Sequence, residues 1–269
     1  MSDVPPIDRR RALGLLGGLG LVALGACRPI ESPDDEATDS VPAGPAGNLE
    51  QDVPEHPVEV GPGEIPEETR GPFSADGSNG PDILVRKGIV RRDITRSFAG
   101  PTDVAVGVPA TLALTVMNRR GTQRTPYEGA AVYVWHCDAY GRFSLYDPVI
   151  ANQNYLRGVQ EVDARGRVSF RTIYPAARAG RWPHIYLMVF ESVEAATTGG
   201  RPLRTTQIAL PGDVSKSVYR RTPYQQSLRN LALSKITADT VFGDGHEHQL
   251  AKVTGNADDG LRIALSFDV

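Results

Sequence analysis

Short runs of β-branched, aromatic and aliphatic residues, separated by turn signals, limit what this chain can fold into more than any other feature. Thr111-Leu112-Ala113-Leu114-Thr115-Val116 sends every second side chain to the same face, as a half-buried strand requires. Val132–Trp135, Val168–Ile173, Ile185–Phe190, Thr205–Leu210 and Leu261–Phe267 have the same strand-like composition. Asp163-Ala164-Arg165-Gly166 and Asp258-Asp259-Gly260 read as turns between them. A single short helix is predicted at about Pro223–Leu233, with Thr222 as cap, Pro223 in the first turn and Gln225 at the capping-box position. Strands with turns, and scarcely a helix, predict an all-β fold, an antiparallel β-sandwich. The stretch from Gly71 to the C-terminus is long enough to bury one core.

The N-terminal quarter has a different character. Arg9-Arg10-Arg11-Ala12-Leu13 has the form of a twin-arginine export signal, with Arg9 and Arg10 as the pair. The apolar run that follows, Leu13 to Ala26, is too short to span a membrane. It ends in Leu24-Gly25-Ala26-Cys27, which has the form of a bacterial lipobox. Residues 1–26 therefore read as a twin-arginine/lipoprotein signal peptide, with Cys27 as the lipidated N-terminus of an exported protein anchored in the bacterial cell envelope. Only Cys137 then remains of the two cysteines, and no intramolecular disulfide is expected. Residues 27–66 read as a disordered tether, rich in proline and acid with Arg28 as its one basic residue, unable to bury enough apolar area to offset its ordering entropy. Residues 67–269 form the folded domain. The formal net charge is −3 and there is no basic stripe, which argues against a nucleic-acid partner.

Motifs within the domain carry a resemblance. Arg178-Ala179-Gly180-Arg181-Trp182-Pro183-His184-Ile185-Tyr186 follows Leu156–Gln160, Asp163–Arg167 and Phe170–Pro175. Upstream lie Val134-Trp135-His136-Cys137-Asp138 and Gly141-Arg142-Phe143-Ser144, with Thr69–Phe73 and Arg92-Asp93-Ile94 before them. Over about residues 66–269 this order resembles the intradiol ring-cleavage dioxygenases, the catechol and protocatechuate dioxygenases and their secreted relatives. The resemblance implies a β-sandwich and a ferric ion held by two tyrosinates and two histidines. It also implies cleavage of catechol-type aromatics between their hydroxyls.

Carried over residue by residue, the metal site is mostly replaced. Phe143 stands at the first tyrosine, Arg178 at the second, and Tyr186 at the second histidine, while His184 keeps the first. Phenylalanine offers no donor atom, and arginine stays protonated. A cation about 4 Å from a trivalent ion would oppose binding by about 12 kcal/mol at an effective dielectric near 20. His184 and Tyr186, two apart on a strand, face the same way and are the residual metal candidates. Arg181 matches the arginine that stabilises the carbanion-like catecholate, and Gln207 a glutamine lining the same pocket. Among the other histidines, His136 reads as a core residue. His246 and His248 have two-ligand spacing but are too few to select a metal.

These residues support an envelope protein of the intradiol type with impaired catalysis. It would bind a small aromatic or anionic ligand, or a partner, in the former pocket, with no cofactor expected. One alternative is an active Fe(III) dioxygenase with an unusual His184/Tyr186 ligand set. Another is a non-catalytic structural subunit of an oligomer. Contact with the membrane is expected through the lipid anchor alone.

Overall fold

The computed structural model describes residues 60–269; Arg9, Arg10, Cys27 and the tether up to residue 59 lie outside the described residues. The strands are β1 (Pro109–Arg120), β2 (Gln123–Pro126), β3 (Ala131–Trp135), β4 (Arg157–Glu161), β5 (Arg167–Ile173), β6 (His184–Phe190), β7 (Arg204–Ala209), β8 (Lys252–Asn256) and β9 (Gly260–Asp268). The first sheet runs β2-β1-β9-β8, with β5 also paired to β1, and the second runs β4-β3-β6-β7. This is the β-sandwich that the alternation predicts, and all six expected strands are present. One pairing is parallel: β1 with β9, the first and last strands, which no hairpin turn constrains.

Alternation sorts the side chains into two cores. Leu112, Leu114 and Val116 of β1 join Ile185, Leu187 and Val189 of β6 in a cluster between the sheets. The opposite faces of β3 and β6 supply Tyr133, Trp135, Tyr186, Met188 and Phe190 to a second cluster on the outer side of the second sheet. Ile83, Leu84, Ile89 and Phe143, from loops, cover it. The expected turn at Asp163–Gly166 is present, and Gly166 is required there. Its φ is +75°, and a Cβ would lie 2.7 Å from the Val116 carbonyl.

Three points differ from the sequence reading. First, three short α-helices occur among the described residues: α1 (Val193–Thr197), α2 (Gly212–Val218) and α3 (Gln225–Ala232). The single helix expected is α3, which starts later, after Tyr224 and without a side-chain cap. Thr222 instead accepts from the Gln225 amide at 2.9 Å. Second, β2, β4 and β8 were not foreseen, because their polar residues, and glycine in β4 and β8, mask any period of two. Third, Glu64 and Ile65, assigned to the tether, are packed into the domain. Ile65 is fully buried and its N–H donates to the Asp268 carbonyl, while Glu64 pairs with Arg204 at 2.8 Å. Among the described residues no helix is long and apolar enough to cross a membrane.

Candidate functional site

β6 presents His184 and Tyr186 on the same face, at the outer cluster, with ring centroids 4.7 Å apart and planes at 81°. The Tyr186 ring lies flat on Trp135 of the neighbouring strand, 5.0 Å away and 6° from parallel. Trp135 stacks in turn on Tyr133 at 5.0 Å. Phe143 meets Tyr186 edge-on at 6.2 Å. It is brought there by a turn in which Asp138 accepts the backbone N–H groups of Tyr140 and Arg142, each at 2.9 Å.

Arg178, Phe143 and Phe73 form one unit. The two rings stack 4.5 Å apart, and the guanidinium carbon sits 4.8 Å from the Phe73 ring and 5.3 Å from the Phe143 ring. Such placement attracts a cation to the π-faces by about 0.5–2 kcal/mol. The loop that carries Arg178 is pinned from the helices: Tyr219 donates to the Pro175 carbonyl, Ser227 accepts from Ala177, and Asn230 donates to the Ala177 carbonyl.

Arg181 connects the rest. It donates to Asp239 at 3.0 Å, to the Gln207 side-chain carbonyl at 2.7 Å and to the Tyr186 hydroxyl at 3.4 Å. The Gln207 amide then donates to the Thr69 carbonyl at 3.0 Å. The expected set of His184, Tyr186, Arg178, Arg181, Gln207 and Phe143 is thus gathered in one place.

Asp239 was missed by the sequence reading. It also accepts from the Trp182 and Val241 backbone N–H groups at 2.6 and 2.9 Å. Nothing near Asp239 marks it in the sequence, because its partners Arg181 and Trp182 are over fifty residues away. A strap, Thr69–Phe73, crosses the site. Gly71 lies so close to Tyr186 that a Cβ there would be 2.8 Å from the hydroxyl oxygen, and Phe73 covers Phe143. Arg157, also unforeseen, is buried and fixes the strap by donating to the carbonyls of Phe73 at 2.7 Å and Ser74 at 3.2 Å.

The electrostatics follow from burial. The His184 imidazole is pushed down to about 3, first by burial and then by the Arg181 cation. Its Nδ1 lies 2.6 Å from the Trp182 carbonyl, so it carries the hydrogen, and Nε2 is left as a bare lone pair. Burial raises the Tyr186 phenol, against the pull of Arg181 and Arg178, so Tyr186 is neutral at pH 7. Burial works against ionisation of Asp239 too, but Arg181 and the hydrogen bonds outweigh it and hold its carboxyl below the usual range.

The remaining histidines and the cysteine lie apart. His136 is buried, with Nδ1 2.8 Å from the Cys137 carbonyl and Nε2 2.7 Å from the Thr172 hydroxyl, and burial lowers it to about 4. His246 and His248 sit on a loop after Phe242, not on a strand. Cys137 is a buried free thiol, raised by burial to about 12. Among the described residues, no three His, Cys, Asp or Glu side chains converge as metal ligands.

Residues 79–184 match the sequence model of a dioxygenase family. The whole domain superposes on an intradiol ring-cleavage dioxygenase from Tetranychus urticae with a TM-score of 0.56. Sequence identity is 22%, over 76% of this chain and 92% of the other. The dioxygenase Tetur07g02040 gives 0.57 at 21% identity, over 76% and 93%. The chain is thus similar to the intradiol ring-cleavage dioxygenases, in sequence over residues 79–184 and in fold over the domain. At these identities the solved intradiol dioxygenases establish the shared fold, and none of the curated proteins matches the chain. Within the intradiol fold, activity depends on the site residues.

Proposed function

We propose that this intradiol-type domain has lost iron-dependent ring cleavage and binds a small aromatic or anionic molecule, or a partner protein, at the former catalytic pocket. The observation that carries this is the unit of Arg178, Phe143 and Phe73. By the resemblance, Arg178, whose guanidinium rests on two stacked rings, stands for one tyrosinate of the family and Phe143 for the other. The donors that remain do not fit a ferric ion. They are one imidazole nitrogen and a neutral phenol already hydrogen-bonded to Arg181, with two cations beside them. Two arginines beside aromatic rings suit a phenolic or carboxylate ligand.

A second reading, an active Fe(III) enzyme with His184 and Tyr186 as ligands, draws on one observation. The His184 Nε2 lone pair accepts no hydrogen bond from the described residues while Nδ1 is held by a backbone carbonyl, the arrangement of a metal-ligating histidine. Metal content decides between the readings. Protein purified without a metal-affinity tag is expected to hold far less than one iron per chain and to leave catechol and protocatechuate uncleaved. Stoichiometric iron, with ring cleavage that vanishes in Tyr186→Phe, would establish the second reading instead.

The same proposal places the protein on the bacterial envelope, held by lipid on Cys27. The order of Arg9-Arg10, an apolar run and Leu-Gly-Ala-Cys supports it. Cys27→Ala is expected to release the protein from membranes or block its processing. A variant still processed and still membrane-bound would show that the anchor lies elsewhere.

A further inference from the structure

The outer face of the first sheet, and not the second sheet that carries the site above, bears a trough of about 830 Å³ that runs on into another of about 610 Å³. Arg92 and Arg262 line both parts. Strand register shows how the trough is built. Arg171 of β5, Thr111 of β1 and Arg262 of β9 lie side by side in one row. The next row of the same face is Ser169, Ala113 and Ala264, and the third is Arg167, Thr115 and Ser266. Small side chains therefore floor the middle, and guanidinium groups stand at both ends. Rows on one face are two residues apart, so Arg167 and Arg171 are separated by about 13 Å along β5. Arg171 and Arg262, on the strands flanking β1, are about 10 Å apart.

The charges on the floor rows have one sign. Arg167, Arg171 and Arg262 are exposed, and no carboxylate stands in these three rows. Four carboxylates, Asp93, Glu161, Asp163 and Asp259, stand on the rim at strand ends and turns, outside the floor rows. Asp163 accepts the backbone N–H groups of Arg165 and Arg167 at 2.8 Å. Asp93 accepts from Thr95 and makes only a long 3.6 Å contact with Arg171, whose side chain remains 74% exposed. Asp259 accepts from the Asn256 amide, and Glu161 ends β4.

We propose that this trough docks an extended acidic polysaccharide, a chain of uronate-type sugars. Guanidinium groups pair with carboxylates through two parallel N–H bonds. The hydroxyls of Thr111, Thr115 and Ser169 between them offer partners to sugar hydroxyls. No aromatic side chain lines either part, so the face lacks the stacking platform that a neutral sugar chain would use. An extended peptide would add to a sheet edge through its backbone, whereas β1 is already hydrogen-bonded on both sides, to β5 and β9. Recognition here rests on side chains alone.

The test titrates the full-length protein with de-esterified oligogalacturonate, with a neutral cello-oligosaccharide, and with poly-glutamate. Arg171→Ala/Arg262→Ala and Ala113→Glu are compared with the unmodified protein, with urea midpoints confirming that each folds. Saturable oligogalacturonate binding is expected, weakened at least about tenfold in either variant and falling steeply with salt, with the neutral chain inert. Absent oligogalacturonate binding, or binding that both variants leave unchanged, would overturn the proposal. So would tighter binding of poly-glutamate with the same sensitivity to the variants, which would make an acidic polypeptide the occupant. None of these outcomes depends on iron or ring cleavage, so the reading of the former catalytic pocket stands or falls separately.

Discussion

Single residues in this fold act through burial and through the partner they find, as His136 and Asp239 show. His136 is neutral in the fold, lowered by burial to about 4, against about 6.5 when unfolded. A depressed histidine contributes stability that is intact above the unfolded value and lost as pH falls toward the folded one. Between pH 7 and pH 5 this amounts to about 2 kcal/mol. His136→Asn is expected to lower stability at pH 7 yet remove that much of the decline, read by urea unfolding at both pH values; an unchanged slope would show that His136 protonates in place. Asp239 works in the opposite direction of dependence on a partner. With Arg181 almost enclosed, at 16% side-chain exposure, Asp239→Ala leaves a buried cation unpaired, and a loss of about 3–5 kcal/mol is expected. Asp239→Ala/Arg181→Leu should recover part of that loss, whereas a double variant no more stable than Asp239→Ala would mean the carboxylate serves the Trp182 and Val241 backbone N–H groups instead.

At the scale of elements, the feature that reshapes the site is the strap Thr69–Phe73. It is held by Arg157 at Phe73, by Gln207 at Thr69 and by close packing of Gly71 on Tyr186. Gly71 has φ +61°, so Gly71→Ala meets both a strained backbone and the tyrosine hydroxyl. A loss of about 1–3 kcal/mol is expected, with part returned by Tyr186→Ala in the same chain, measured as a double-mutant cycle. Additive losses would show that the strap does not press on Tyr186. The strap also shows where sequence reading stops. Alternation in Thr111–Val116 and Ile185–Phe190 exposed the strands, the inner core and the shared face of His184 and Tyr186, because those depend on neighbours along the chain. The resemblance supplied Arg178, Arg181, Phe143 and Gln207. Phe73 on Phe143, Arg157 on the Phe73 carbonyl and Asp239 on Arg181 join residues more than fifty positions apart, and no local pattern encodes such pairs.

For the whole molecule, the proposed loss of ring cleavage concerns the site and leaves the frame in place. The two sheets, the pinned Pro175–Arg178 loop and the β6 histidine are joined by contacts of the protein itself, among them the stacking of Trp135 on Tyr186 and the Arg181–Asp239 pair. On that proposal, ring cleavage returns only with several changes together. Phe143→Tyr, Arg178→Tyr and Tyr186→His in one chain replace a donorless ring, remove a cation and shorten the side chain beneath Gly71. Ferric binding with visible tyrosinate absorption is expected from this triple variant, and little from any single change. Arg178 alone opposes a trivalent ion by about 10 kcal/mol at about 5 Å, so changes that leave it in place gain nothing. Room for a substrate is a separate requirement. Phe73 still covers Phe143, so ring cleavage is expected only when Phe73→Ala is added to the triple variant. Iron in the triple variant without colour would mean the introduced tyrosines do not reach the metal. No iron at all, in a variant that folds, would mean the backbone around His184 has moved away from the family's metal geometry.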